Sequence, residues 1–287
     1  MPRLNVQQNN QNIIKAFQVA LETSHKNLLD NAYFVGGGSQ LGDGIFPVNQ
    51  RGQTSYTGGG TTFDRWRLSS GGSMTLAPEG VSVNGLMYQK KVLDLTVGDT
   101  YTLSRRNTDG TIVSVTGIVP SAEGWAVGNQ NFGVYFRPST KVCDIQICGE
   151  YFLQAIKLEK GSVSTLANDV PPDFGEELRK CQRYFLRLKA TGYNYIPIAS
   201  GVWTSVSTVR MLINTPVPMR AVPTISHSGT FKCAGNGTIL DVSALGALTI
   251  TEQGVFANVL TNGSPVPWQY YTLLMLENAY IDLSADL

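Results

Sequence analysis

The chain has 287 residues, a net charge of +1 and 15% charged residues, so it exerts no general electrostatic attraction on nucleic acid or an anionic membrane. At that length two domains of ordinary size can each bury a core. The 30 glycines, with Ser, Thr and Val crowding the middle of the chain, favour an all-β protein of short strands and tight turns.

The opening MPRLNVQQNNQ is polar, and no apolar stretch approaches about 18 residues; neither a signal peptide nor a membrane insertion is predicted, and synthesis in the cytosol is. Asn9 to about Lys26 is predicted to be a helix. Ile14, Phe17, Leu21, Ser24 and Leu28 alternate three- and four-residue steps, the seam of a short coiled coil, and Ile13 and Ala20 widen it. Two heptads are marginal alone. The stripe therefore packs on its own domain or gathers with two copies around a symmetry axis.

From Asn27 to Ala167 the pattern is strand and turn. KVLDLTV sets Leu93, Leu95 and Val97 on one face, and TIVSVTGIV is rich in β-branched residues. Asn84-Gly85 and Asp109-Gly110 are predicted hairpin turns, and Gly36–Gly38 and Gly58–Gly60 are loops without a phosphate-binding pattern. Cys143, Ile145 and Ile147 share a strand face. In QAIKLEK, Ile156 and Leu158 oppose Lys157 and Glu159, predicting a half-buried strand that Gly161 stops. A Pro-Pro-stiffened connector, Asn168 to Pro172, precedes a capped short helix from Phe174 to about Arg183, with Asp173 and Glu176 as its capping box. Beyond Lys189 the chain returns to β: Val209, Met211 and Ile213 share a face, prolines at 216, 218 and 223 mark an edge or crossover, and YYTLLMLENAYIDL closes the fold. The resulting expectation is an all-β protein. An N-terminal attachment helix (residues 1–26) is followed by two β-sandwich, jelly-roll-like domains (27–170 and 186–287), joined by a linker and short helix (171–185).

Several phrases, taken together, resemble tail-fibre and receptor-binding proteins of bacteriophages and prophages: NLLDNAYF at Asn27, FPVNQRG at Phe46, SYTGGGTTFDRW ending at Trp66, QAIKLEKGSVSTL at Gln154, GEELRKCQRYF at Gly175 and PVPMRAVPT at Pro216. The similarity runs from Asn27 to about Thr224. It implies a virion protein, made in the host cytoplasm and usually trimeric, whose carbohydrate-binding-module-like jelly roll and C-terminal β module serve host adhesion. Its implied partners are two further copies of the chain, tail or capsid proteins at the N-terminal segment, and host surface polysaccharide.

The four cysteines form no CxxC pair and lie near no histidine cluster, so no metal site is predicted and free thiols are expected. No cofactor motif is present. Asp94, Asp99, Asp109, Glu123, Asp144, Glu150 and Glu159 are scattered, with no visible glycosidase pair; His25 at a helix end and His227 in the turn-like ISHSGT accompany no GxSxG elbow, and the chain reads as a non-enzyme, with depolymerase as the catalytic alternative. Sugar binding needs aromatic faces against pyranose C–H groups and planar polar side chains for hydroxyls. The candidates are Trp125 with Asn129, Gln130 and Asn131 in the EGWAVGNQNFG loop, Tyr193 and Tyr195 in GYNYIP, Trp203 and Trp268. Burial is the competing role for each aromatic. Asp64 and Arg65 are expected to anchor a strand, Trp66 to fill the core, and Asn49 to Gly52 to hold a turn.

Overall fold

A computed structural model describes residues 25–37, 46–235, 237–263, 266 and 269–286. The predicted N-terminal helix lies outside the described residues, apart from His25 and Lys26, which have no regular structure. The chain divides into two compact units, Met1–Phe174 and Gly175–Leu287.

The first unit contains β1 (Ser55–Thr57), β2 (Gly60–Thr61), β3 (Arg67–Leu68), β4 (Ser73–Ala77), β5 (Gly80–Val92), β6 (Thr100–Asn107), β7 (Ile112–Ile118), β8 (Gly124–Gly128), β9 (Phe132–Arg137) and β10 (Val142–Lys160). All ten belong to one branched antiparallel sheet whose main path is β1-β4-β5-β10-β6-β7, with β9 and β8 continuing from β10 and β3 and β2 from β5. The long β10 is the spine. Its first half pairs with β5 and β9, and its second half with β6. Cys143, Ile145 and Ile147 face a core shared with Phe34, Trp66 and Met87.

In the second unit, helix α1 (Phe174–Gln182, begun at the last residue of the first unit) leads into β11 (Phe185–Lys189), β12 (Ile196–Ser205), β13 (Thr208–Asn214), β14 (Thr224–Ser228), β15 (Phe231–Gly235), β16 (Thr238–Thr251), β17 (Gly254–Thr261), β18 (Tyr270–Met275) and β19 (Tyr280–Ser284). Six of these close a barrel in the order β12-β13-β17-β16-β15-β18, and β11-β19-β14 form a separate three-stranded sheet. Val209, Met211 and Ile213 alternate into the barrel core, as their period-two spacing requires. The proline segment at 216–223 carries the chain from the barrel strand β13 to β14 in the other sheet.

The expected pair of jelly-roll-like sandwiches is therefore corrected. All-β holds, but the C-terminal strands close into a barrel, because β18 pairs with both β12 and β15 and so leaves no barrel edge. Among the described residues α1 is the only α-helix, accompanied by a 3₁₀ turn at Leu166–Asn168.

Four local readings also change. KVLDLTV is not a strand: β5 ends at Val92, Leu93 and Leu95 are buried in a loop, and Val97 is exposed. Asn84-Gly85 is not a turn but the middle of β5, opposite Gly149 of β10. Gly85 has φ of +109°, and a Cβ there would lie 2.9 Å from the Gly72 Cα, so glycine permits a close backbone approach rather than a reversal. QAIKLEK is not half-buried, since Lys157 and Glu159 are as fully enclosed as Ile156 and Leu158. His227 lies on β14 rather than in a turn, beside the Leu245 carbonyl at 3.1 Å. Asp109-Gly110, by contrast, does turn β6 into β7: the Gly110 amide donates to the Asn107 carbonyl, and the Thr111 amide and hydroxyl donate to Asp109 Oδ1. Those two bonds from Thr111 hold the exposed Asp109 carboxyl below its ordinary range.

The first-unit phrases NLLDNAYF, FPVNQRG, TTFDRW and QAIKLEK meet in one buried polar lattice. Asn31 Nδ2 donates to the carbonyls of Val48 and Asp64 at 2.8 Å each, and its Oδ1 accepts from the Val48 amide at 2.7 Å. Trp66, wholly in the core, donates its indole N–H to the Asn31 carbonyl at 2.8 Å. Asp64 accepts from the Gln50 amide and Arg51, while Arg65 reaches Asp30 and the Lys90 carbonyl. Asn49 accepts from the Gly52 amide and donates to the Gln53 carbonyl, holding its turn. Asn27 bonds both the Ile156 carbonyl and the Leu158 amide, so the segment from Asn27 onward lies along β10. These residues hold irregular backbone in place by satisfying its buried polar groups.

Candidate functional site

The strongest candidate is the outward face of the sheet where β8, β9, β10 and β5 run side by side. Directly opposed residues in antiparallel strands point to the same face. The register pairs Trp125 with Tyr135, Tyr135 with Asp144, and Asp144 with Lys90, a row across four strands spanning about 14 Å at ordinary strand spacing. The next row is Gly133, Gln146, Tyr88 and Arg67. Trp125, Tyr135, Gln146, Tyr88, Lys90 and Arg67 are all half-buried, each presenting part of its surface to solvent.

Trp125 and Tyr135 meet edge to face, with ring centroids 5.3 Å apart and planes at 79°. The Arg137 guanidinium lies 5.0 Å from the Tyr135 centroid and pairs with Asp144 Oδ2 at 2.6 Å and Glu123 Oε1 at 3.1 Å. The hydrogen bond to Asp144 pushes the Arg137 pKa up, with the charges of Asp144 and Glu123 adding to it against the cost of desolvation. Asp144 is only 6% exposed, and its Oδ1 has no hydrogen-bond partner. Beneath the row, burial pushes the Cys143 thiol up to about 12, with the negative charge of Asp144 reinforcing it.

Trp125 lies on β8 rather than in a loop; the loop is Asn129 to Asn131. Asn129 Oδ1 accepts from the Asn131 amide at 2.9 Å and from the Phe132 amide at 3.4 Å, so this side chain holds the turn. Gln130 and Asn131 are exposed beside it. The turn closes tightly because Gly133 has no side chain: a Cβ would lie 2.4 Å from the Asn129 carbonyl oxygen.

The other candidates belong to the second unit. Tyr193 and Tyr195 are 74% and 50% exposed in the β11–β12 connection, and Tyr195 has φ of +65°. Trp203 sits on β12 opposite the buried Val209 and packs on the barrel core, with its indole Nε1 buried and unpartnered. Trp268 lies outside the described residues.

Tyr88, Lys90, Tyr135, Asp144 and Gln146 are absent from the expected set of site residues. The available signal was alternation: Tyr135 and Arg137 oppose Val134 and Phe136, just as Asp144 and Gln146 oppose Cys143, Ile145 and Ile147. Sequence could not show that β9, β10 and β5 are neighbours in this register.

A shallow polar depression of about 270 Å³ lies along Gln53 to Thr62. Its one aromatic, Tyr56, is buried, and its hydroxyl is bonded to Asn49 and the Gln53 carbonyl, leaving little for stacking. Among the described residues no group of three or more His, Cys, Asp or Glu side chains is placed to hold a metal, and no helix is long and apolar enough to cross a membrane. Cys143, Cys148, Cys181 and Cys233 form no disulfide. No family model matches the chain, and neither a curated protein sequence nor a solved structure does.

Proposed function

We propose that this chain is a virion adhesin that attaches a phage particle to a host surface glycan, and that the glycan lies on the outward face of β8, β9, β10 and β5. The observation that carries the reading is the row Trp125–Tyr135–Asp144–Lys90 with Gln146, Tyr88 and Arg67 beside it. Aromatic side chains offer surface to the apolar side of a sugar ring, and fixed planar polar groups select its hydroxyls. The tail-fibre phrases supply the biological setting. Single sites of this kind are weak, and a trimer presenting three would gain by multivalency.

The test is binding of the purified chain to host cells and to polysaccharide extracted from them. Trp125→Ala, Tyr88→Ala and Gln146→Ala should each weaken binding by roughly tenfold or more, the scale of about 1.4 kcal/mol. Undiminished binding by all three variants would remove this face from the proposal, and absence of binding by the native chain would remove the adhesin.

A second reading, a structural fibre, baseplate or capsid appendage, is favoured by the outside of the barrel. There Phe256 opposes Leu212 and Tyr270 opposes Val202, all exposed. A native chain that assembles into particles yet binds no host polysaccharide would favour it.

A further inference from the structure

The charged pair of β10 that the sheet encloses, Lys157 and Glu159, has a chemistry independent of any glycan. Both side chains have no accessible surface and lie on the face opposite Ile156 and Leu158. Across the sheet they stand over Ser104 and Thr102 of β6, both buried. The segment after the strand covers them. The Thr102 hydroxyl donates to the Gly161 carbonyl, Ser104 to Ser164 Oγ, and Arg106 to the Leu166 carbonyl. Leu166 is buried within this cover.

Under it, Lys157 Nζ lies 2.6 Å from Asp169 Oδ1, whose side chain is 21% exposed. The same amine donates to Thr165 Oγ1 at 2.8 Å, and the Thr165 hydroxyl donates to Glu159 Oε2 at 2.6 Å. Glu159 Oε1 accepts the Thr165 amide at 2.8 Å, which fixes the carboxyl, and Glu159 Oε2 is 3.7 Å from Nζ. An enclosed amine, a carboxyl touching it and a second carboxyl joined to the amine through one hydroxyl are the parts an amide-forming reaction needs.

We propose that Lys157 and Asp169 become joined by an intramolecular isopeptide bond, with Glu159 carrying the protons through Thr165. One proton of the Lys157 ammonium passes along the Thr165 hydroxyl to Glu159 and on to an Asp169 oxygen. The amine lone pair then attacks Asp169 Cγ and forms the C–N bond. A second proton follows the same route from nitrogen to the departing hydroxyl. The C–O bond breaks with its electron pair, and one water leaves by the exposed side of Asp169. No oxidant, metal or cofactor enters the balance, and Glu159 ends as it began.

Two physical arguments favour the step. Fixed contact between the reactants replaces a bimolecular encounter, an advantage corresponding to effective molarities of roughly 10⁵–10⁸ M in well-oriented systems. Opposite charges taken out of water carry a desolvation cost that a neutral amide does not. Lys91 and Asp30 show what is missing elsewhere: they also touch, but Asp30 is shared with the Arg65 guanidinium, a permanent cation that stabilises the carboxylate and relays no proton. The bond would tie β10 to a residue 12 positions along the chain, within the connector near the end of the first unit.

The experiment is the intact mass of the full chain under denaturing conditions, followed by tryptic mapping. The expected mass is lighter than the sequence by one water. Trypsin should fail to cut after Lys157 and should release Val142–Lys160 covalently joined to Gly161–Arg179. Glu159→Gln keeps an oxygen for the Thr165 amide and Thr165→Val removes the relay; both variants, and Asp169→Ala, should regain the full mass and normal cleavage after Lys157. A native chain of full mass overturns the proposal, as does a missing water that maps to another pair. A Glu159→Gln chain still joined at 157 and 169 overturns the role of Glu159. If a variant fails to fold, the native peptide map decides by itself.

Discussion

Asn31 shows how much of a fold can rest on one amide. It is fully buried with φ of +49°, and it bonds Val48 at both backbone groups and the carbonyl of Asp64. Replacement by alanine strands the Val48 amide and the Asp64 carbonyl, while the Val48 carbonyl keeps the Asp64 amide at 3.3 Å. At about 1–3 kcal/mol for each group left unsatisfied, Asn31→Ala should destabilise the first unit by roughly 2 kcal/mol or more in urea unfolding. Cys143 gives the pH counterpart. Its thiol has an ordinary value of 9.0 and burial raises it to about 12. Between those values the unfolded chain has lost the proton and the folded chain keeps it, so stability is fully present below about 9 and falls as pH rises towards 12. A Cys143→Ala variant should show a shallower alkaline decline. Cys233, raised by burial to about 11, behaves the same way in the barrel. Because the thiolate is the nucleophile, neither should react with iodoacetamide at pH 8 until the chain is unfolded; rapid labelling of either in the native protein would contradict this burial.

Among the elements, β10 is the spine of the first sheet, paired with β5, β9 and β6. Period-two alternation identified its apolar side from Cys143 to Ile147, and the same rule applied to Lys157 and Glu159 gave the wrong environment. Alternation reports which side chains share a face, not whether that face is covered. Here a later segment covers it. Gly85 is the second instance: a dipeptide that favours hairpins sits inside a 13-residue strand because β4 and β10 pair along both its edges. Its positive φ and its contact with Gly72 predict that Gly85→Ala costs about 1–3 kcal/mol, read as a lowered melting temperature of the first unit. A melting temperature unchanged by that substitution would mean the backbone can move aside.

For the whole molecule, the two units have separate cores: one cluster runs from Leu29 to Leu158, and the other begins at Leu186. Substitution of Ile145 by alanine should therefore lower one calorimetric transition and Met211→Ala the other, each by about 2–5 kcal/mol. A single transition displaced equally by both variants would show that the units unfold as one. The adhesin reading also predicts the mass of a trimer in solution, to be checked by light scattering; a monomer would remove multivalency from the proposal.

By itself the sequence determined the all-β class, the strand at Thr208–Asn214 with its inward face, the helix at Phe174–Gln182, the Asp109-Gly110 turn and the enclosure of Trp66. Each follows from short-range spacing or from the size of a single side chain. Tertiary structure alone decided that the C-terminal strands close into a barrel, that Asn31, Asp64 and Arg65 knit distant phrases together, and that Trp125, Tyr135, Asp144 and Lys90 share a row. It also brought Asp169 onto Lys157. Those outcomes depend on which strands become neighbours, in what register, and on which segment covers a charged face. Local periodicity is the same whichever neighbour a strand finds.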